Sequence, residues 1–198
     1  MTAGSRIVIA EDEAIIRMDL REILEEEGYQ VVGEATDGAS ALSLVQELRP
    51  DLVILDIIMP GLDGLSAAQR IVEQELAAVL ILTAFSQREL VTRATRAGAM
   101  AYLVKPFEKS DLVPAIEVAV ARWDEARALA RESRSLAERL ETRKLVERAK
   151  GVLMDRHTLS ERDAFRLIQQ SAMRRRIGMR EIAERVLAGD LMEPESAS

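Results

Sequence analysis

The sequence predicts an α/β fold: a doubly wound five-stranded parallel sheet, followed by a long helix and a small three-helix bundle. Over the first 120 residues, five short aliphatic runs alternate with helical patterns across short connections, as in a sheet with helices on both faces. Polar residues follow four of these runs directly, and the carboxyl ends of parallel strands share one edge of such a sheet. Beyond residue 122 the chain is rich in Ala, Leu, Arg and Glu with almost no glycine or proline, which predicts helix.

Each element follows from a local pattern. Aliphatic runs predict strands at Arg6–Ala10, residues 31–35, residues 52–55, residues 79–82 and Ala101–Val104. Apolar residues at helical spacing predict helices at residues 14–27, Gly38–Leu48, residues 65–74, a segment that Ser86 could cap and that ends near Gly98, and residues 109–122. The bundle is predicted from a long helix over residues 122–155, a second helix at Glu161–Arg175 behind a Ser160 cap, and a third at residues 179–187.

Composition restricts the functional classes. A chain of 198 residues suits one large domain or two small ones, and 48% apolar residues can form a packed core. The absence of cysteine excludes disulfides and thiolate metal sites. No apolar run approaches about 20 residues, and the first strand begins almost at the N-terminus. We therefore expect no membrane span, no signal peptide and a cytoplasmic location.

Charge divides the chain into an acidic and a basic part. Residues 1–121 hold 10 basic and 20 acidic side chains, residues 122–198 hold 17 and 14, and the stretch 139–185 holds 13 and 7. The acidic part suits a cation site, and the basic part could bind a polyanion. Two ordinary charged surfaces are the alternative that charge alone leaves open.

Five polar side chains stand at the predicted strand ends. Glu11 and Asp12 follow the first strand, Asp56 the third, Thr83 the fourth and Lys105 the fifth. Carboxylates are the ligands that Mg²⁺ prefers, and a bound cation would relieve their repulsion and let a carboxylate attack phosphorus. Each residue alone could be a helix cap or a surface group. The whole set, in this order, predicts a cation and phosphoryl site.

Residues 5–121 resemble the receiver domain of two-component response regulators. The resemblance lies in the segments Ala10-Glu11-Asp12, Leu55-Asp56-Ile57-Ile58-Met59-Pro60-Gly61-Leu62-Asp63-Gly64, Leu82-Thr83-Ala84 and Lys105-Pro106-Phe107. It implies a flavodoxin-like sheet of strand order 2-1-3-4-5. It also implies that a sensor histidine kinase phosphorylates Asp56.

The same resemblance implies the roles of the other site residues. The Mg²⁺ ligands would be Glu11, Asp12, Asp56 and the backbone carbonyl of Ile58, with glutamate at position 11 in place of the more usual aspartate. Thr83, Lys105 and Tyr102 would be the catalytic and switch residues. In the implied mechanism the Thr83 hydroxyl moves onto the phosphoryl group and the Tyr102 ring turns inward, which reshapes the face made by residues 88–97 and 101–104.

The basic helical part resembles an ANTAR domain, an RNA-binding three-helix module of transcription antiterminators. Its most specific segment is Ala149-Lys150-Gly151-Val152-Leu153-Met154, and Ser160-Glu161-Arg162-Asp163-Ala164-Phe165, Leu167, Ala172 and Ile182-Ala183 also match. The resemblance implies binding to paired hairpins in a leader transcript. Our candidate RNA contacts are six basic residues and one glycine: Arg143, Arg148, Lys150, Gly151, Arg174, Arg175 and Arg180.

Further expectations attach to single residues of this part. Gly151, inside a helix, suggests close approach of another helix or a ligand. His157 is expected in a solvent-exposed turn. Five apolar residues are expected to pack the bundle, which would leave no aromatic surface for base stacking: Ala149, Leu153, Met154, Phe165 and Ala172.

These observations combine into a domain plan and a functional hypothesis. We predict a receiver at residues 1–121, a connecting helix at 122–138, an ANTAR domain at 139–192 and a disordered tail at 193–198. Leu129, Leu136 and Leu140 could form a coiled-coil seam, or the helix could simply be solvated. The function would be phosphorylation-dependent RNA binding and antitermination, in which phosphorylation either frees the output bundle or brings two chains together, and RNA binding could also join two chains.

Two rival functions differ in how much the sequence supports them. A receiver whose helical output binds a protein or duplex DNA is the alternative, although a loop over residues 174–179 would be long for a helix-turn-helix. An enzymatic output has no support, because residues 122–198 lack a nucleophile with a partner base, a phosphate loop and a metal-ligand cluster. The remaining chemistry is self-phosphorylation and dephosphorylation at Asp56.

Overall fold

A computed structural model describes residues 4–84 and 88–190, and it contains a five-stranded parallel sheet in the order β2-β1-β3-β4-β5. The elements in chain order are β1 (Arg6–Ala10), α1 (Ala14–Glu26), β2 (Gln30–Ala35), α2 (Gly38–Leu48), β3 (Leu52–Asp56), α3 (Gly64–Glu73), β4 (Ala78–Thr83), α4 (Arg88–Arg96), β5 (Ala101–Val104), α5 (Lys109–His157), α6 (Glu161–Arg175) and α7 (Met179–Ala188). The predicted fold and strand order are confirmed. Ser86, the predicted cap, and the predicted tail at 193–198 lie outside the described residues.

Helices cover both faces of the sheet. Every residue of the central strands β3 and β4 is buried, as expected for continuous aliphatic runs in a parallel sheet. One apolar cluster joins the sheet to α2 and α3 and includes Val53, while a second joins it to α1 and α5 and includes Ile54. Adjacent residues of β3 therefore face opposite layers, and the strand ends meet at one edge.

The predicted boundary between two helices near residue 122 is wrong. A single helix, α5, runs 49 residues from Lys109 to His157. Pro114 lies inside it without ending it, and no further proline or glycine interrupts the chain until Gly151. Because nothing in the sequence breaks the helix near Arg122, the change in composition there marks a change of neighbours and not an end.

The chain divides into two compact units, residues 1–127 and 128–198. In the first unit, the α5 segment packs against the sheet as far as Trp123, which is 6% exposed and belongs to its core. The guanidinium of Arg127 lies 5.9 Å from the centre of the Trp123 ring. At this distance the guanidinium is attracted to the face of the indole ring by a cation–π interaction.

The second unit has its own core, formed by α5, α6 and α7. Ala149 and Leu153 of α5 pack against Ile168 of α6 and Ile182 of α7. The connection between α6 and α7 is only three residues, Arg176 to Gly178, and is shorter than the predicted loop over 174–179. Arg176 adopts a left-handed conformation, φ 57°, that ends α6 within one residue.

Within residues 4–84 and 88–190, no helix is both long and apolar enough to cross a lipid bilayer.

Candidate functional site

Three carboxylates meet at the carboxyl edge of the sheet. Glu11 and Asp12 follow β1, Asp56 ends β3, and each offers an oxygen within 4.8 Å of the others. Glu11 is fully buried, Asp56 is 6% exposed and Asp12 faces solvent. The register of β1 against β3 pairs Ala10 with Leu55, which brings the two strand ends level.

Lys105 bridges the two buried carboxylates. Its Nζ donates a hydrogen bond of 2.7 Å to Asp56 Oδ2 and forms an ion pair of 2.6 Å with Glu11 Oε2. Burial raises the pKa of Glu11 and the nearby Asp56 charge raises it further, against the opposing effect of Lys105. Burial acts to lower the pKa of Lys105, but the two carboxylates outweigh it and raise that pKa. The lysine is therefore held charged at the centre of the site.

The loop after Asp56 is fixed by backbone packing at Gly64. The Gly64 amide donates a 3.0 Å hydrogen bond to the Ile57 carbonyl, and a Cβ at Gly64 would overlap the carbonyl oxygen of Asp56. Asp63 caps α3 by accepting from the Ser66 amide at 2.9 Å. Burial alone would raise the pKa of Asp63, but the hydrogen bonds from Ser66 outweigh it and lower the pKa. The sequence motif includes Gly64, but its close packing against the Asp56 backbone becomes visible only in the fold.

Thr83 and Tyr102 lie beside the acids on neighbouring strands. Thr83 ends β4 and is fully buried, one residue beyond the Leu82 that pairs with Asp56. The Lys105 amide donates 2.7 Å to the Thr83 carbonyl. Burial raises the pKa of Tyr102, and a hydrogen bond with Thr83 lowers it in part. The two predicted switch residues are thus in direct contact, and the Tyr102 ring is half-buried.

The remaining loop positions hold one predicted and one unforeseen residue. Ile58 is 58% exposed, and its amide lies 3.4 Å from Asp56 Oδ1, so its backbone borders the acid cluster. Arg17 of α1 was not predicted, yet its guanidinium donates 2.6 Å to the Glu11 carbonyl and pairs with Glu34 at 3.3 Å. Arg17 therefore anchors the backbone that presents Glu11.

The donor set fits a hard divalent cation. Three carboxylates provide only oxygen ligands, and exposed Asp12 leaves one side open to the waters that Mg²⁺ retains. Two of these carboxylates already need a positive neighbour, which Lys105 supplies. In receiver domains acidic residues bind Mg²⁺, and Glu11, Asp12 and Asp56 form the corresponding cluster.

The predicted RNA contacts in the second unit divide into exposed and paired residues. Arg143, Arg148 and Arg175 are exposed and have no ion-pair or hydrogen-bond partner among the described residues. Arg174 is exposed, and Arg180 is exposed but hydrogen-bonded to Glu184 at 2.9 Å. The first three arginines could therefore contact a phosphate without breaking an existing bond.

Lys150 is not the exposed contact that the sequence suggested. It is 6% exposed, and its Nζ donates 2.8 Å to Glu147 and 2.8 Å to Glu161. These two hydrogen bonds raise the pKa of Lys150. In return, the hydrogen bond that Lys150 donates to Glu161 lowers the pKa of Glu161. Lys150 therefore ties α5 to the start of α6, and its place in the motif has a structural reason.

Four further expectations in this unit are corrected. Phe165 is 40% exposed and Met154 is 38% exposed, although both were expected to pack the bundle. The other three residues of that prediction are buried as expected: Ala149, Leu153 and Ala172. His157 ends α5 half-buried instead of lying in an exposed turn. At Gly151 no described atom lies within 4 Å of the place that a Cβ would occupy, so no neighbouring helix requires glycine there.

The leucines of the predicted seam are exposed on α5. Leu129, Leu136 and Leu140 are 67%, 58% and 54% exposed. An apolar row of this kind is available to a partner helix, and a solvated helix remains the alternative.

Comparisons with known proteins agree with this arrangement. The response regulator receiver domain family matches residues 7–117, and the ANTAR domain family matches residues 134–187. The chain belongs to the response regulator family and carries a receiver domain followed by an ANTAR domain. It is a two-component response regulator, a class of regulatory switches.

Its relatives cover one or both units. The transcriptional regulatory protein PdtaR of Mycobacterium tuberculosis is 59% identical over 92% of this chain and 89% of its own length. The chemotaxis protein CheY of Thermotoga maritima is 40% identical over 57% of this chain and 95% of its own length. The first relative therefore extends through the helical unit, while the second matches the receiver.

Solved structures match the receiver unit. The receiver domain of NarL from Mycobacterium tuberculosis superposes with a TM-score of 0.58 at 32% identity, over 60% of this chain and 97% of that one. A CheX–CheY–BeF3–Mg²⁺ complex from Borrelia burgdorferi gives a TM-score of 0.55 at 27% identity, over 57% of this chain and 86% of that one.

Proposed function

We propose that this chain is a phosphorylation-dependent regulator that binds hairpin RNA in leader transcripts and promotes transcription antitermination. The observation that carries the proposal is the presence, in one chain, of the Glu11–Asp56–Lys105 cluster and an ANTAR unit with exposed arginines. The first element can receive a signal and the second can bind a polyanion.

The input step would be phosphoryl transfer to Asp56 from a phosphohistidine of a sensor kinase. A carboxylate oxygen of Asp56 attacks phosphorus, the P–N bond breaks, and its electron pair returns to the imidazole. A bound Mg²⁺, held by Glu11, Asp12, Asp56 and the Ile58 carbonyl, would neutralise charge on the transferred group. Lys105 would turn from the Asp56 carboxylate to the new phosphoryl oxygens.

The kinase would approach over α1. A groove of 530 Å³ beside Lys105 is lined by apolar residues, among them Ile16, Ile23 and Phe107, and by four acids: Glu13, Asp19, Glu22 and Glu26. On the same helix Ile15 and Met18 are 77% and 68% exposed. An apolar surface of this extent next to a reacting carboxylate suits a transient protein partner.

The switch would act through Thr83 and Tyr102. Their hydrogen bond links the buried end of β4 to the partly exposed β5. When Thr83 binds the phosphoryl group, this bond must be exchanged for another, and the Tyr102 ring must move. The face made by residues 88–97 and 101–104 would change, allowing two chains to join or an output surface to become accessible.

The output step would be RNA binding by the exposed arginines of the second unit, Arg143, Arg148, Arg174, Arg175 and Arg180. Two joined chains could hold two hairpins, and each would raise the effective concentration of the other. Leu129, Leu136 and Leu140 offer an apolar row for such joining. The PdtaR relative is named a transcriptional regulator, which agrees with this role.

A gel-shift assay tests the proposal. We expect beryllofluoride with Mg²⁺ to increase binding of a two-hairpin leader RNA by the wild type and to have no effect on Asp56→Asn. Arg143→Ala and Arg148→Ala should weaken binding without altering helicity. Equal binding with and without beryllofluoride, together with full binding by both arginine variants, contradicts the proposal.

Duplex DNA is the second candidate ligand, because the α6–α7 connection is a three-residue turn ending in Gly178. Helix-turn-helix motifs have connections of this length, often with glycine. Competition of duplex DNA against hairpin RNA at the same ionic strength decides between the two ligands.

A further inference from the structure

The sequence of the second unit has a single residue of the types phenylalanine, tyrosine and tryptophan, and this residue lies on the surface of the unit. Residues 128–198 include Phe165 as their single such aromatic. Ala164, Ile168 and Ala172 of the same helix lie in the core, while the larger Phe165 remains 40% exposed. An aromatic ring left exposed beside this core leaves a favourable apolar burial unused, so Phe165 is a candidate for contact with a ligand.

Phe165 borders a groove of 510 Å³ within this unit, which we call the Phe165 groove. It is lined by Arg139, Arg143, Val146, Glu147, Phe165 and Met179, among others. Val146 is 4% exposed and gives the groove an apolar floor. The volume is within the range of sites for small organic groups, about 300–1,000 Å³.

The charged residues at the rim favour an anionic ligand. Arg139 and Arg143 are one helical turn apart on α5, both exposed, and neither has a charge partner within the described part of the chain. The Glu147 carboxylate is paired at 2.8 Å with Lys150, which also pairs with Glu161. Glu138 contributes to raising the pKa of Arg180, after Glu184, so its charge is also shared with a cation. Both acids of the rim thus face a cation, whereas Arg139 and Arg143 pair with none of the acids that the structure describes.

We propose that the Phe165 groove binds one unpaired nucleobase of an RNA loop, stacked on Phe165, with Arg139 and Arg143 holding the flanking phosphates. This inference rests on the RNA-binding function proposed above and names the subsite that reads the loop. Aromatic rings and arginines are the groups that single-stranded bases and their phosphates contact. A protein helix in the groove would leave two arginines without partners, which makes it the less favoured occupant.

The rim also selects among bases. The Glu147 carboxylate, 55% exposed beside the groove, accepts hydrogen bonds and cannot donate them. Adenine, cytosine and guanine carry an exocyclic amino donor, whereas the Watson–Crick donor of uracil, N3–H, lies between two carbonyl oxygens that a carboxylate repels. The groove therefore accepts an amino-bearing base and disfavours uracil.

The test uses the full chain with Mg²⁺ and beryllofluoride, and an RNA hairpin that the wild type selects under these conditions from a library with randomised loops. In the selected hairpin, we expect one abasic loop position to weaken binding about 5- to 150-fold, the range for loss of one base stack. Uracil at that position should also weaken binding. Phe165→Ala should lose the same amount of affinity for the intact hairpin. In this variant the abasic position should cause no further loss of affinity, because both changes remove the same contact.

Matched variants separate stacking from folding. Phe165→Tyr retains the ring and should bind like the wild type. Met173→Ala, at a 70% exposed position of the same helix, should leave binding unchanged. Arg139→Gln and Arg143→Gln should weaken all RNAs and reduce the salt slope by about one each.

The outcomes distinguish the two levels of the hypothesis. If the wild type enriches no hairpin, the RNA-binding function itself is wrong, and this subsite with it. If the wild type binds but Phe165→Ala binds equally well and keeps the full abasic penalty, the RNA function stands and the Phe165 groove is not its base site.

Discussion

Lys105 Nζ lies 2.7 Å from Asp56 Oδ2 and 2.6 Å from Glu11 Oε2, so one ammonium group pairs with both buried carboxylates of the receiver and offsets one of their two negative charges. An isolated buried carboxylate is costly, and a pair of them is more so. The lysine therefore supplies part of the positive charge that this carboxylate pair requires. If Asp56 is the phosphoacceptor, as proposed, an entering phosphoryl group would compete with the carboxylate for this same ammonium.

Replacing Asp56 by asparagine should abolish phosphorylation. Asparagine keeps the shape and hydrogen bonding of the side chain but lacks the nucleophilic oxygen, so acyl phosphate cannot form. Incubation with a small-molecule phosphodonor and Mg²⁺, followed by intact mass measurement, checks this. Asp124→Asn, at an exposed acid of α5, should still gain one phosphoryl group. Modification of Asp56→Asn at wild-type extent would show that another residue is the acceptor.

Replacing Lys105 by alanine should destabilise the receiver in the absence of divalent cations and make its stability depend on them. Removing one partner of a buried ion pair leaves uncompensated charge and costs about 3 kcal/mol. Added Mg²⁺ should restore a larger part of the stability than it adds to the wild type, because ligand binding to the native state is linked to unfolding. Thermal melts with EDTA and with a Mg²⁺ series provide the measurement. Equal Mg²⁺ responses in the two proteins would argue against a shared cation position.

Glycine-to-alanine changes at Gly64 and Gly151 should have different effects: the first should impair phosphorylation, and the second should stabilise the fold. At Gly64 a Cβ would overlap the Asp56 carbonyl, so Gly64→Ala should shift the phosphoacceptor loop and slow phosphorylation. At Gly151 the space is open, so Gly151→Ala should raise the unfolding free energy by roughly 0.5–1 kcal/mol through helix propensity. The phosphorylation rate measures the effect of Gly64→Ala, and a denaturant melt measures the effect of Gly151→Ala. Loss of RNA binding by a stabilised Gly151→Ala would place the RNA backbone against α5.

The Lys150–Glu161 contact should make the second unit sensitive to acid. The pKa of Glu161 is lowered in the folded chain by Lys150, so its stabilisation is present above the ordinary glutamate pKa of 4.5 and is lost as pH falls through the lower folded value. The stability difference between wild type and Glu161→Gln should therefore shrink below pH 4.5. Methyl signals of Ile182, fully buried in this unit, report its unfolding. A difference that is constant with pH would mean that the pair does not contribute through charge.

The strand pattern is readable from the sequence because burial of a central parallel strand demands a continuous aliphatic run. Val53 and Ile54 had to be apolar whichever layer they faced, so β3 could be located without knowing its neighbours. Asp56 then stands out as the polar end of that run. The edge shared by parallel strands supplies the rest of the acid cluster.

Long-range packing cannot be read in the same way. The full length of α5 escapes prediction because composition changes near Arg122 while helix propensity does not. Lys150 was expected at the surface and Phe165 in the core, and the structure reverses both. Their burial depends on where α6 crosses α5, which places Glu161 beside Lys150 and leaves Phe165 at a groove edge. Such a crossing is set by the helix pair and not by either helix alone.

The position of Trp123 has a practical consequence. It is the single tryptophan of the chain, it is 6% exposed, and its core neighbours belong to the first unit. Intrinsic indole fluorescence therefore reports the receiver alone, while far-ultraviolet circular dichroism reports the helices of both units. Recording the two optical signals on one sample shows, without any label or truncation, whether the halves of the chain unfold together or in sequence.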